Sequence, residues 1–307
     1  MAGAINATDA SKRHVKMTYI HTMHRMHIII HCCRNQPRQP PRQLRQRLLV
    51  EMEHMLQFGI RVKVYGPRVA WSPSKSIGLQ TYAVVTGGNK GIGFEICRQL
   101  ACEGVTVVLT ARNEQKGAEA VEKLRGLGLS DNVLFHRLDV TDASTVSSLV
   151  HFVNTNFGRL DILVNNAGII GLVANESALR ASLNIRNKWA KGVLNNVESP
   201  GEKVDEVVNK FLEHFKNGSL KENGWPAHMS AYFVSKAAMN AYARITAHKY
   251  PSLQVNCVNP GNAKTDLNYN TGKITAKEGA QNIVRVALQP EDGPSGVFFD
   301  CKKIVAF

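Results

Sequence analysis

The chain has 307 residues, 44% hydrophobic and 20% charged, enough to bury one sizeable core in a single domain. Its formal net charge of +14 is unevenly spread, with +10 on residues 1–79 (thirteen Lys and Arg against Asp9, Glu51 and Glu53) and only +4 on residues 80–307, so the main domain is nearly balanced. Six scattered cysteines (Cys32, Cys33, Cys97, Cys102, Cys257, Cys301) exclude a disulfide framework, and no run approaches the ~18–20 apolar residues of a membrane span. A soluble cytoplasmic protein without a membrane partner is expected.

Residues 1–79 show no sustained period of 2 or 3.6, and their longest early apolar run is little more than Ile28-Ile29-Ile30. The stretch Gln36-Pro37-Arg38-Gln39-Pro40-Pro41-Arg42-Gln43 is expected to be extended or disordered, because proline excludes helix and like charges repel. A helix over 44–58 would bring Leu48, Met52 and Met55 roughly to one face. The Arg-rich, acid-poor character fits a plastid or mitochondrial transit peptide, although the low serine content and the late glutamates oppose it. His21, His24, His27 and His31 with Cys32 and Cys33 could gather on one helical face, but nothing else closes a four-ligand site and no metal is expected. Aromatics that could stack on bases are nearly absent, so no nucleic-acid partner is expected either. The preferred reading is an unstructured or partly helical leader, or an artefact of an assumed translation start.

From Tyr82 the pattern becomes regular. Strands expected over 82–86, 105–110, 133–138 and 160–165 alternate with helices over 91–102, 114–126 and 142–157. Near-continuous apolar strands in repeated β-α units imply a parallel sheet covered on both faces. Right-handed crossovers place every strand C-terminus at one edge, where a dinucleotide lies. The run Thr86-Gly87-Gly88-Asn89-Lys90-Gly91-Ile92-Gly93 follows the first strand and leads into a helical pattern through Phe94, Ile96, Cys97 and Leu100. It reads as a turn that lets the backbone approach a pyrophosphate at a helix N-terminus, although glycines also serve ordinary turns. The second strand closes with Thr110-Ala111-Arg112-Asn113, an arginine where an NAD-binding enzyme keeps an acid for the ribose. Arg112 and Lys90 can instead hold a 2′-phosphate, so NADP(H) is the expected form; the alternative is that Arg112 merely starts a solvated helix.

The spacing Thr-Gly-x-x-x-Gly-x-Gly, with Asn165-Asn166-Ala167-Gly168 and Tyr232-Phe233-Val234-Ser235-Lys236 downstream, resembles the short-chain dehydrogenase/reductase family. Within it the chain looks like the carbonyl-reductase-like branch that includes plant salutaridine and menthone reductases, over residues 80–169 and 184–307. The resemblance implies a Rossmann-like doubly wound α/β domain at 80–307 that reduces a ketone or aldehyde on a small terpenoid- or alkaloid-like molecule. It further implies cofactor contacts by Thr86, Gly87, Asn89, Lys90, Gly91, Ile92 and Gly93 in the turn, and by Arg112, Asp139 and Val140 after the second and third strands. Asp139 would accept from the adenine amine, although as an isolated motif Asp before a helix is commonly an N-cap. Asn166, Ala167 and Gly168 would back the adenosine, Tyr232 and Lys236 would touch the cofactor, and Pro260, Gly261, Ala263 and Thr265 would follow the strand expected over 253–258. Tyr232 and Lys236 lie four apart in a helical pattern, so both project from one face. A phenol is a poor acid near neutrality, and an adjacent ammonium favours its ionised form; Tyr232 would be the catalytic acid and Lys236 its activator. The segment 184–226 looks like the insertion that covers an oligomerisation surface in this branch, so a monomer is expected.

One departure stands out. The family pattern places a crossover helix with a catalytic asparagine, then a strand ending in a substrate-binding serine, after the fourth strand. Only fifteen residues separate Gly168 from Asn184, too few for a β-α-β unit. Ser177 is the tempting substitute, but Ala174-Asn175-Glu176-Ser177-Ala178-Leu179-Arg180 lacks an apolar strand and reads better as a short helix capped by Asn175. The sheet is therefore expected to be short of one interior strand between those ending near Asn165 and beginning near Leu253. Those neighbours would either pair directly or leave unpaired backbone groups. Weak turnover follows, with a catalytically impaired NADPH-binding variant or a non-productive splice or gene-model product as the alternative.

Overall fold

The computed structural model describes residues 80–168, 185–227, 230–290 and 292–305, together with the backbone of residues 27–32. Strands β2 (Tyr82–Val85), β3 (Thr106–Ala111), β4 (Val133–Arg137) and β5 (Ile162–Asn165) alternate with helices α1 (Gly91–Cys102), α2 (Glu114–Arg125) and α3 (Ala143–Phe157). Each lies within two residues of its expected bounds. Every residue of β3 is buried, as a strand rich in β-branched residues must be when helices cover both of its faces. The Asn113 side chain accepts from Lys116 N at 2.8 Å and fixes the start of α2; the Asp142 side chain accepts from Ser144 N at 2.9 Å and fixes that of α3.

The sheet runs in the order β4-β3-β2-β5-β1-β6-β7-β8, with β1 (His27–Cys32), β6 (Leu253–Asn259), β7 (Phe298–Asp300) and β8 (Lys303–Val305) completing it. Strands β2 to β5 pair in parallel with their neighbours in that block, as do β6 and β7, whereas β7 and β8 form an antiparallel hairpin. Strand β1 lies antiparallel to both β5 and β6, with Ile29 opposite Val164 on one side and Asn256 on the other.

This placement corrects two expectations. No parallel strand lies between β5 and β6 among the described residues, as anticipated, but the two neither pair directly nor flank an open gap. The described piece of the basic extension is also neither disordered nor helical. Both changes have one cause: β5 is wholly buried and β6 nearly so, and an unpaired buried backbone group costs about 1–3 kcal/mol. A metal site that needs a helix at His27 and His31 loses its premise, since that backbone is a strand. No cluster of three or more His, Cys, Asp or Glu side chains suited to a metal occurs among the described residues. His21, His24, Cys33, the helix expected over 44–58 and Ser177 lie outside the described residues.

Helices cover both faces. On one, Ile96 and Leu100 of α1 and Ile283 of α7 (Ala276–Ala287) pack with Val107 and Leu109. On the other, Leu149 and Val153 of α3 and Met239 and Ala243 of α6 (Ser230–Lys249) pack on Val84, Val108, Leu163 and Val255. The segment expected to be an insertion forms α4 (Lys188–Asn195) and α5 (Gly201–Lys216), which share a third apolar cluster with α6 through Val204, Val207, Phe211, Val234 and Ala238. Phe211 meets Trp225 edge-on at 5.2 Å, and Trp225 Nε1 lies 2.9 Å from His214 Nδ1. None of the helices is long and apolar enough to cross a membrane among the described residues.

Phe211 is fully buried at the centre of that third cluster. Phe211→Ala is expected to cost about 3–5 kcal/mol in chemical denaturation, and a loss under about 1 kcal/mol would mean that α4 and α5 are only loosely docked on α6.

Candidate cofactor and active site

The C-terminal ends of β2 and β5 lie side by side because the two strands are parallel neighbours. Thr86 follows β2 and is buried; its Oγ1 accepts from Asn166 N at 2.8 Å and Ala167 N at 2.9 Å. Asn166 Nδ2 in turn donates to the carbonyls of Thr86 and Gly87, each at 2.9 Å. The Asn-Asn-Ala-Gly segment therefore clamps the glycine turn, and Gly88 N ties it to β3 through Thr110 O at 2.8 Å. Gly87 has φ +64°, a left-handed conformation that glycine adopts without strain. At Gly93 a Cβ would stand 2.3 Å from both Gly87 O and Asn166 Nδ2, so α1 can pass against the turn only with hydrogen at that position.

Helix α1 begins there without a side-chain cap and without an acidic residue in its first turn. Helices α2, α3, α4 and α7 are each capped by a side chain, from Asn113, Asp142, Asn187 and Thr275. Helix α5 also starts without a side-chain cap, after Pro200, so what sets α1 apart is its place at the glycine turn, where its first amides and the positive end of its dipole suit an anion. Asn89 is half-buried in the turn, and Gly91 and Ile92 open the helix.

The neighbouring strand ends carry the other expected residues. Arg112 is exposed after β3, and Asn113, not Arg112, caps α2. Asp139 after β4 is half-buried, and its Oδ1 accepts from Thr141 N at 3.0 Å and Thr141 Oγ1 at 2.7 Å. It is not the N-cap of α3, a role filled by Asp142. Val140 packs against the apolar layer beneath α3.

After β6 the loop from Pro260 folds back onto the glycine turn. Asn282 Nδ2 of α7 donates to Pro260 O at 3.0 Å, Ala263 bridges Ile274, and Lys264 N donates to Ile274 O at 2.7 Å. Gly261 has φ +93°. Thr265 lies beside Gly91, 3.5 Å from where a Cβ on that glycine would be. Lys90 Nζ reaches across to Asp266 Oδ2 at 2.8 Å, and this ammonium holds the Asp266 carboxyl below the usual carboxylate range. Asp266 is a site residue that sequence reasoning did not single out. Its partner is 176 residues away, and nothing in either local pattern announces the pair.

Tyr232 lies in the first turn of α6 and Lys236 in the second. Helix α6 leads directly into β6, so its N-terminus stands at the edge where β6 ends and the Pro260 loop begins. Both side chains are buried, at 4% and 2% exposure, and Lys236 Nζ sits 5.7 Å from the centroid of the Tyr232 ring. Phe233 meets that ring nearly edge-on at 5.6 Å. The amide of Asn165, at the end of β5, is buried, with Nδ2 donating to no group among the described residues.

The structure thus brings the glycine turn, residues 166–168 and the Pro260 loop into one contiguous edge, with Arg112 and Asp139 farther along it. A family model described as short chain dehydrogenase matches residues 81–276. The chain is 43% identical to a (+)-neomenthol dehydrogenase of Arabidopsis thaliana over 289 residues, covering 74% of this chain and 98% of that protein. It is 34% identical to a carbonyl reductase (NADPH) 1 of Bos taurus, covering 73% of this chain and 97% of that protein. Its fold matches the solved structure of salutaridine reductase from Papaver somniferum with a TM-score of 0.66 and 39% identity, over 72% of this chain and all of that one.

Half of the Gly93 contact is with the Gly87 backbone and cannot be relieved by a side-chain rotation. Gly93→Ala is expected to destabilise the protein by about 1–3 kcal/mol in urea titration; an unchanged midpoint would show that α1 does not press on the turn.

Proposed function

The chain belongs to the short-chain dehydrogenase family, and from that premise we propose that it binds NADP(H) and reduces a ketone or aldehyde on a small terpenoid- or alkaloid-like molecule. The observation that carries the reading is the uncapped start of α1 at the glycine turn, on the same sheet edge as the Tyr232–Lys236 pair. The residues present fit a dinucleotide. Amides of residues 91–93 would meet the pyrophosphate, with Thr86, Gly87 and Asn89 shaping the turn. Lys90 and Arg112 would hold a 2′-phosphate, which selects NADP(H) over NAD(H). Asp139 and Val140 would line the adenine, and Asn166, Ala167 and Gly168 the adenosine. Pro260, Gly261, Ala263 and Thr265 would border the nicotinamide.

The nicotinamide, when bound, supplies the hydride. Tyr232 donates its phenolic proton to the carbonyl oxygen, and the buried Lys236 ammonium stabilises the charge that develops on the phenol oxygen. The substrate class rests on the names of the neomenthol and salutaridine relatives, and the cofactor form on that of the bovine relative. Turnover is expected to be slow, because the serine-bearing strand of the family pattern has no counterpart in the described sheet and β1 runs the opposite way in its place. The alignment to the Arabidopsis relative is also longer than the part of this chain that it uses, as a missing block would make it. A monomer is the reading for the quaternary state, since α4 and α5 already cover α6.

Oxidation of NADPH by the purified full chain, followed at 340 nm against a panel of cyclic monoterpene ketones, tests the proposal. Carbonyl-dependent oxidation is expected, falling at least about 100-fold in Tyr232→Phe with NADPH affinity retained; an equally active variant would remove Tyr232 from the mechanism. In a fluorescence titration Asp266→Asn should tighten NADPH by up to about fivefold and leave NADH unchanged, since the exposed Lys90–Asp266 pair is worth about 0–1 kcal/mol and competes for Lys90. Weaker NADPH binding would mean that Asp266 positions Lys90 for the phosphate.

A further inference from the structure

Strand β1 comes from the part of the chain that composition marks as a basic leader, yet it occupies an interior place in the sheet. Its register is complete on both sides. Ile28, Ile29, Ile30 and His31 stand opposite Asn165, Val164, Leu163 and Ile162 of β5. His27 to Cys32 stand opposite Val258 to Leu253 of β6 along almost the whole of that strand. The slot is walled by buried backbone on both sides, and a β-branched run is what such a slot selects. Recognition of this kind rests on main-chain hydrogen bonds, so it does not demand the direction of the strand it replaces.

We propose that residues 27–32 are an intrachain donor strand, which fills the interior slot between β5 and β6 and makes the extension an obligatory part of the 80–307 domain. Two consequences distinguish this from a leader. Removal of residues 1–79, as processing of a transit peptide would do, empties the slot and exposes two edges in the middle of the sheet. Reversal of direction also matters at the cofactor edge. There the position between Asn165 and Val258 is taken by the entry of a strand, at His27 and Ile28, and not by the exit of one. The slot is filled and the cradle supported, while the chain that would leave a parallel strand at that edge is not supplied.

The test is hydrogen–deuterium exchange of the full chain, read by mass spectrometry, which needs no cofactor and so stands apart from the NADP(H) reading. Amides of residues 27–32 are expected to exchange at least about 100-fold slower than in an unstructured peptide. Ile29→Pro, which removes a ladder donor, should abolish that protection and raise exchange in 162–165 and 253–259, whereas Ser11→Pro should change neither. Unstructured exchange of 27–32 in the unmodified chain overturns the proposal, whatever the rest of the sheet does. So does protection that disappears on dilution, which would assign the strand to a second copy.

Discussion

Backbone hydrogen bonding at the middle of the sheet is the constraint on which the rest depends. Strands β5 and β6 carry the two halves of the molecule, since the glycine turn is clamped from the end of β5 and α6 feeds β6. Neither strand can bury an edge without a partner. Once that pairing is made by β1, the ends of β5 and β6 stand at one edge, and the Tyr232–Lys236 pair, the Pro260 loop and the glycine turn share it.

The cradle itself depends on short polar contacts more than on area. Thr86 Oγ1 receives two amides and Asn166 Nδ2 gives to two carbonyls, so these two side chains tie the end of β5 to the glycine turn. Such a network is rigid because each member is satisfied and buried groups are costly to release. It leaves the first amides of α1 facing outward, where a phosphate would replace a capping side chain. The Lys90–Asp266 pair links the turn to the Pro260 loop by a charge-assisted hydrogen bond at the surface, where separation costs little.

Much of this was legible in the sequence. The strands from β2 to β5 are apolar runs bounded by turn residues, and the helices between them start at caps such as Asn113 and Asp142 that act over two or three residues. Helix α7 could also have been found, since Thr275 and Glu278 form a capping box. The glycine turn, Asn166 and the Tyr232–Lys236 spacing marked their positions because local chemistry fixes each of them. Strand β1 was not legible, because three isoleucines between histidines have no alternation and become a strand only through partners far along the chain. Asp266 escaped for the same reason: its role arises from a contact between two loops. Local patterns reveal elements whose partners are their own neighbours, and leave open those that answer a need created elsewhere in the fold.

The proposed function requires the sheet to close around its missing strand well enough to hold a nicotinamide dinucleotide phosphate. Thermal unfolding of the full chain with NADPH or NADH, each at a concentration that would be about 100 times the NADPH dissociation constant, tests it most directly. Binding should add about 2.7 kcal/mol and raise the midpoint by several degrees. One cooperative transition is expected, shifted by NADPH and much less by NADH. A transition that neither nucleotide moves, or the lack of any cooperative transition, would contradict it.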